Sequence, residues 1–233
     1  MTRTLVTLAA LAFVFGCGGQ PTDQMTEMSA ASETEGKTEA MPAEEPADST
    51  TAEATETETE GVLEDTLASD NLPEDLYINI DVKDRGVIKV KFHTQDAPKN
   101  VTNVANLAIK KFYDGLTFHR IIYGFVVQGG DPEGTGRGGP GYTVEAEIKR
   151  KHKKGSMAMA RTGDQVNPER RSSGSQFYLC LEDLPQLDAG GYTVIGDLVE
   201  GMEVLEKLGQ VKTGQMDKPV ESVIMESVTV TTQ

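Results

Sequence analysis

The run Tyr77-Ile78-Asn79-Ile80-Asp81-Val82 alternates apolar and polar side chains, Asp84-Arg85-Gly86 supplies turn chemistry, and Val87-Ile88-Lys89-Val90-Lys91-Phe92 alternates again. A period of two on both sides of a turn predicts a hairpin. At Ala97-Pro98 the period changes: Val101, Val104, Leu107 and Ala108 fall on one helical face, with proline in the first turn and Asp114-Gly115 past the end. A second helix is predicted from Met202 to Leu208, stopped by Gly209. Strand patterns recur at Tyr142 to Glu147, Gln176 to Leu181, Tyr192 to Ile195 and Val220 to Val230, separated by glycine-bearing turns. Many short strands with few helices point to a mainly β fold closed into a barrel.

Ahead of this region the pattern is different. Arg3 precedes an apolar run from Leu5 to Phe15, too short to span a bilayer and suited to a secretory signal core. From Gly18 to Asp75 there are 17 Asp and Glu against one lysine, Lys37, among Thr, Ala, Ser and Pro. Such a segment buries too little apolar surface to offset its ordering entropy, so residues 17–75 are expected to form a disordered linker reaching roughly 40 Å. The remainder, Leu76 to Gln233, holds 20 acidic and 20 basic residues, so the net charge of -15 belongs to the linker. No basic excess remains to attract nucleic acid. The expected organisation is a signal peptide over residues 1–16, the linker over 17–75 and one domain over 76–233.

Val14-Phe15-Gly16-Cys17 resembles the bacterial lipobox, in which the signal is cut before a cysteine that carries lipid. Lipidation of Cys17 would hold the protein on a membrane of the cell envelope, the outer membrane in a diderm. The other reading is an ordinary signal peptide with an incidental cysteine. Cys180 lies in an apolar strand pattern and, once Cys17 is lipidated, lacks a partner, so it is expected to be a buried free thiol.

The stretch Phe118-His119-Arg120-Ile121-Ile122-Tyr123-Gly124-Phe125-Val126-Val127-Gln128-Gly129-Gly130-Asp131 sets an arginine, an aromatic and a glutamine among apolar residues and closes with glycines. Read as strand, turn and strand, it places the donors of Arg120 and Gln128 beside the Phe125 ring, a pocket for something apolar that carries a carbonyl. Together with Gly155-Ser156-Met157-Ala158-Met159-Ala160 and Gly174-Ser175-Gln176-Phe177-Tyr178-Leu179, it resembles the cyclophilin family of peptidyl-prolyl cis-trans isomerases over Tyr77 to Gln233. The resemblance implies an eight-stranded antiparallel β-barrel capped by two α-helices. It also implies rotation of X-Pro bonds in unfolded or folding proteins, with no cofactor and no metal.

By the same resemblance Arg120 donates to the prolyl carbonyl and Phe125 floors the proline pocket, with Val126, Tyr178, Leu187 and Tyr192 around it. Gln128 holds Arg120 or the substrate in register, Met159 meets the substrate through its main chain, and Ala158 and Gln176 complete the binding surface. Departures from the family pattern are Met159 for asparagine, Gln186 for tryptophan, Tyr192 for histidine and Tyr178 for phenylalanine. Isomerisation needs no general base, and His93, His119 and His152 show no zinc spacing.

Plainer readings stand beside these. Arg120 taken alone reads as a surface ion-pair member, and His119 as structural. Gly134-Thr135-Gly136-Arg137-Gly138-Gly139 satisfies G-x-G-x-x-G but leads to a strand pattern rather than the helix that phosphate cradling requires, so it is expected to be a loop beside the pocket. Lys149 to Lys154 reads as a solvated basic loop. A non-catalytic proline-peptide binding module and a tethered chaperone remain alternatives, and the domain is expected to be a monomer.

Overall fold

A computed structural model describes residues 61–232; the expected signal peptide, the Cys17 lipidation site and the linker up to residue 60 lie outside them. The hairpin forms as the alternation predicts, from β2 (Leu76–Val82) and β3 (Gly86–Phe92), registered Ile80 to Ile88 and Val82 to Gly86. Asp84 takes a left-handed φ of 58° at the turn, a conformation short polar side chains tolerate.

The other strands are short: β4 (Arg120–Ile122), β5 (Val126–Gly129), β7 (Ser156–Met159), β9 (Phe177–Cys180), β10 (Val194–Glu200) and β11 (Met225–Thr232). With β2 and β3 they make an antiparallel series β11-β2-β3-β10-β7-β9-β5-β4. The two ends meet just before β4, where Thr117 bridges Ile224 and the Phe118 amide donates to Val223 O at 2.9 Å. Eight strands therefore close on themselves. The pattern at Tyr142 to Glu147 yields only β6 (Thr143–Val144), which pairs with β8 (Ser172–Ser173) in a separate ribbon.

Two helices cover the barrel as expected. The first, α1 (Pro98–Ile109), has no side-chain cap of its own; the Glu147 carboxylate accepts from the amides of Lys99 and Asn100, at 3.2 and 3.0 Å, and so satisfies its first free donors. It buries Val101, Val104, Ala105 and Ala108. The last helix, α3 (Met202–Gly209), buries Val204, Leu205 and Leu208. A third, α2 (Pro185–Gly190), escapes the periodicity because its six residues bury none; proline starts it and left-handed Gly191 ends it.

The stretch directly before β2 is structured, although the composition places it in a disordered linker. β1 (Gly61–Val62) pairs with Thr231 and Thr232 of β11, the Leu67 amide and carbonyl both bond the Asn106 side chain, and Leu63, Leu67 and Leu72 pack against the core. Residues 61–75, expected to be disordered, form a strap on the barrel. Averaging over an acidic stretch hid three leucines, each with a docking place.

Candidate functional site

Strand pairing builds the site. Arg120 on β4 lies opposite Gln128 on β5, Gln128 opposite Tyr178 on β9, Tyr178 opposite Ala158 on β7, and Ala158 opposite Val194 on β10. One row across five strands thus carries the arginine, the glutamine and an aromatic. Because side chains alternate across a sheet, the neighbouring row of Ile121, Val127, Leu179 and Met157 points the other way and is buried in the barrel core.

A cavity of about 160 Å³ opens on the first row, lined by Arg120, Phe125, Val126, Gln128, Ala160, Arg161, Tyr178, Leu187 and Tyr192. Seven of these are the residues singled out from sequence, brought together from β4, the turn that follows it, β5, β9, α2 and the segment before β10. Gln176 lies one step away, in a second cavity of about 580 Å³ that shares Gln128, Ala160 and Arg161 with the first. Ala158 and Met159 line neither. Ala158 is fully buried beneath Tyr178 and Val194, and Met159 faces the barrel core, its amide donating to Thr193 O at 2.9 Å. Ala160 and Arg161, two residues further on, line both cavities.

A polar chain orders the arginine. Arg120 Nη1 donates to Gln128 Oε1 at 3.4 Å, Gln128 Nε2 to Gln176 Oε1 at 3.0 Å, and Gln176 Nε2 to Gly138 O at 2.8 Å. On its other side Arg120 Nε lies 3.4 Å from Asp217 Oδ2. Gly138 belongs to the glycine-rich loop, which folds around Asp131: the amides of Glu133 and Thr135 donate to its carboxylate at 2.8 and 2.9 Å, joined by Gly136. Burial alone would raise the Asp131 pKa, yet these amides and that of Gly138 hold it below the ordinary carboxylate value. Amides that elsewhere would cradle a phosphate are already satisfied by this carboxylate.

The far wall is an aromatic group that sequence reading only half revealed. His152 lies between Asp188 and Tyr178, its Nδ1 2.8 Å from Asp188 Oδ1 and its Nε2 3.0 Å from the Tyr178 hydroxyl. With the carboxylate accepting from Nδ1–H, Nε2 accepts from the phenol. Burial drives the Tyr178 pKa far up, so this hydroxyl stays protonated and donates. Tyr192 meets both rings edge-on, and the Arg161 guanidinium lies 4.7 Å from the centre of its ring. Arg161 also donates to the carbonyls of Gly190 and Gly191 at the end of α2 and pairs with Asp164. His152 and Arg161 therefore fix the tyrosines. No local pattern marks them; the tyrosine that replaces phenylalanine at Tyr178, needing a partner for its hydroxyl, was the available clue.

His119 is buried, and neither ring nitrogen has a hydrogen-bond partner among the described residues. Burial lowers its pKa and keeps it neutral, in accord with a structural role. The basic run is largely consumed by pairing: Arg150 with Asp96, Lys154 with Glu206, Lys149 with Gln95 O, His152 within the aromatic wall. Among the described residues no group of three or more His, Cys, Asp or Glu is arranged to hold a metal ion.

Residues 77–230 match the family model described as cyclophilin type peptidyl-prolyl cis-trans isomerase. A peptidyl-prolyl cis-trans isomerase of Helicobacter pylori is 45% identical over 148 residues, covering 61% of this chain and 83% of the relative. Peptidyl-prolyl cis-trans isomerase B of Bacillus subtilis is 41% identical over 130 residues, 54% of this chain and 86% of the relative. A crystal structure of a Cryptosporidium parvum cyclophilin type isomerase, determined in the presence of the dipeptide Ala-Pro, superposes with a TM-score of 0.62 at 30% identity, covering 67% of this chain and 99% of that one.

Proposed function

Since the chain belongs to the cyclophilin-type peptidyl-prolyl cis-trans isomerase family, we propose that it performs this isomerisation on folding proteins of the cell envelope, from a lipid anchor at Cys17. The isomerase activity is that of the family. The place of work and the role of each side chain are our own reading.

An X-Pro bond resists rotation by ~18–20 kcal/mol because amide resonance is lost at the twisted geometry. A catalyst needs only to bind the twisted form better than either planar one. The observation that carries our assignment is the cross-strand row, which sets the Arg120 guanidinium on the rim of a small cavity floored and walled by apolar and aromatic groups. Phe125, Val126, Leu187 and Tyr192 receive the proline ring, and Arg120 donates to the prolyl carbonyl as the amide twists. A charge-assisted bond of this kind is worth about 1.5–3 kcal/mol, more where water is excluded. Gln128 holds the arginine, and Ala160, Arg161 and Gln176 border the path of the flanking peptide.

The test is turnover of Ala-Pro and Gly-Pro peptides. Arg120→Ala is expected to lower kcat/KM by about tenfold to a hundredfold, roughly 1.4–2.8 kcal/mol of transition-state stabilisation, in a folded protein. Arg120→Lys should restore part of this, since an ammonium lacks the planar fork. Wild-type turnover by folded Arg120→Ala would take the catalytic role away from Arg120, and no turnover by the wild-type chain would favour a binding module. For the anchor, the mature chain should begin at lipid-bearing Cys17, and Cys17→Ala should leave a soluble form or an uncut precursor. A mature N-terminus at any other residue in the mass spectrum would remove the anchor from the proposal.

A further inference from the structure

Asp217 stands outside every motif of the sequence, yet it is the carboxylate that Arg120 meets, with Asp217 Oδ2 3.4 Å from Arg120 Nε. It sits in a tight turn after α3, where Met216 and Asp217 both adopt left-handed backbone, φ 58° and 59°. Two consecutive non-glycine residues in that region are uncommon, and they persist only where the surroundings enforce them. Here the turn is clamped at its base, the Gly214 amide donating to Lys218 O at 2.8 Å and Thr213 bridging Pro219. The effect is to hold a carboxylate against the edge of β4.

We propose that Asp217 is a positioning residue for the isomerase reaction, fixing the plane of the Arg120 guanidinium so that its free edge faces the twisting prolyl carbonyl. The geometry divides the arginine's donors. Nε lies 3.4 Å from the Asp217 carboxylate in an ion pair and Nη1 donates to Gln128, so contacts at two different nitrogens restrain a planar group in orientation as well as place. Nη2 is left for the substrate. The ion pair is too open to serve as a staple, since the side chains of Arg120 and Asp217 are 38% and 46% exposed; a pair so hydrated contributes little to stability. Its effect is therefore expected in the rate and not in the melting temperature.

This inference rests on the isomerase reading, and a double-mutant cycle in the full chain separates the two. Glycine is the appropriate deletion because it accepts the left-handed backbone, and Asp217→Asn keeps an acceptor and that tolerance while removing the charge. Asp217→Gly is expected to lower kcat/KM for Ala-Pro peptides about fivefold to tenfold, mostly in kcat, with an unchanged thermal midpoint and Asp217→Asn in between. On an Arg120→Ala background, Asp217→Gly should cost nothing further, because there is no guanidinium left to orient. Rising salt should slow the wild type more than Asp217→Gly. Wild-type turnover by Asp217→Gly, or the same fold-loss in the absence of Arg120, would overturn the proposal. A wild-type chain that turns over no proline peptide would sink the isomerase reading, and this one with it.

Discussion

The two faces of the same four strands satisfy their side chains by opposite means. Inside the barrel, Ile121, Val127, Met157, Met159, Phe177 and Leu179 meet only other apolar groups, most at 0% exposure. On the outer face a smaller cluster, Val126, Ala158, Tyr178, Cys180, Leu184 and Val194, supports Phe125, Leu187 and Tyr192, and is finished by polar groups brought from elsewhere: His152, Asp188 and Arg161. The inner face specifies the fold and the outer one the chemistry. A substitution on a strand should therefore act on stability or on turnover according to the parity of its position.

The contrast is sharpest between two phenylalanines. Phe177, fully buried and edge-on to both Tyr113 and Phe118, should cost about 3–5 kcal/mol on truncation to alanine, read as a shift in the urea midpoint. Phe125, half-buried at the cavity, should raise KM for proline peptides about tenfold on truncation and leave the midpoint nearly in place. Equal losses of stability in the two variants would break the division.

A smaller effect tests the strap, which belongs to neither face. Starting the chain at Leu72 removes β1, Leu63 and Leu67 while sparing every cavity residue; starting it at Gly61 removes none of them. The first should be less stable by about 1–3 kcal/mol, as two partly buried leucines and a short strand pairing would contribute, with kcat/KM unchanged. Identical midpoints for the two chains would show that the strap adds nothing to the core.

The inner face was legible because it needs only a period. Alternation in Tyr77–Val82 and Val87–Phe92 gives β2 and β3, and the stripe of Val101, Val104 and Ala108 gives α1, since each element buries one side. The outer face was legible where a motif concentrates it, in Arg120, Phe125, Val126 and Gln128. It was not where partners are assembled by folding: Asp217, Arg161 and His152 lie 97, 41 and 32 positions from Arg120 in sequence, and carry no pattern of their own. Ala160, which lines both cavities, was missed for a related reason. A short run of small and apolar residues reads alike in either of two registers, and only pairing with β9 and β10 chooses between them.

Cys180 gives the outer cluster a chemical temperament. Its thiol is wholly enclosed, and burial, followed by the nearby charges of Asp197, Asp188 and Asp183, pushes its pKa up to about 12. At neutral pH the thiol therefore stays protonated, whereas the thiolate is the form that attacks disulfides and takes up oxidant. Beneath Val126, its partner across the sheet, sits a sulfur that behaves as a small hydrocarbon. Enclosure and a raised pKa together make this sulfur a poor target for oxidants and disulfides that would modify an exposed cysteine.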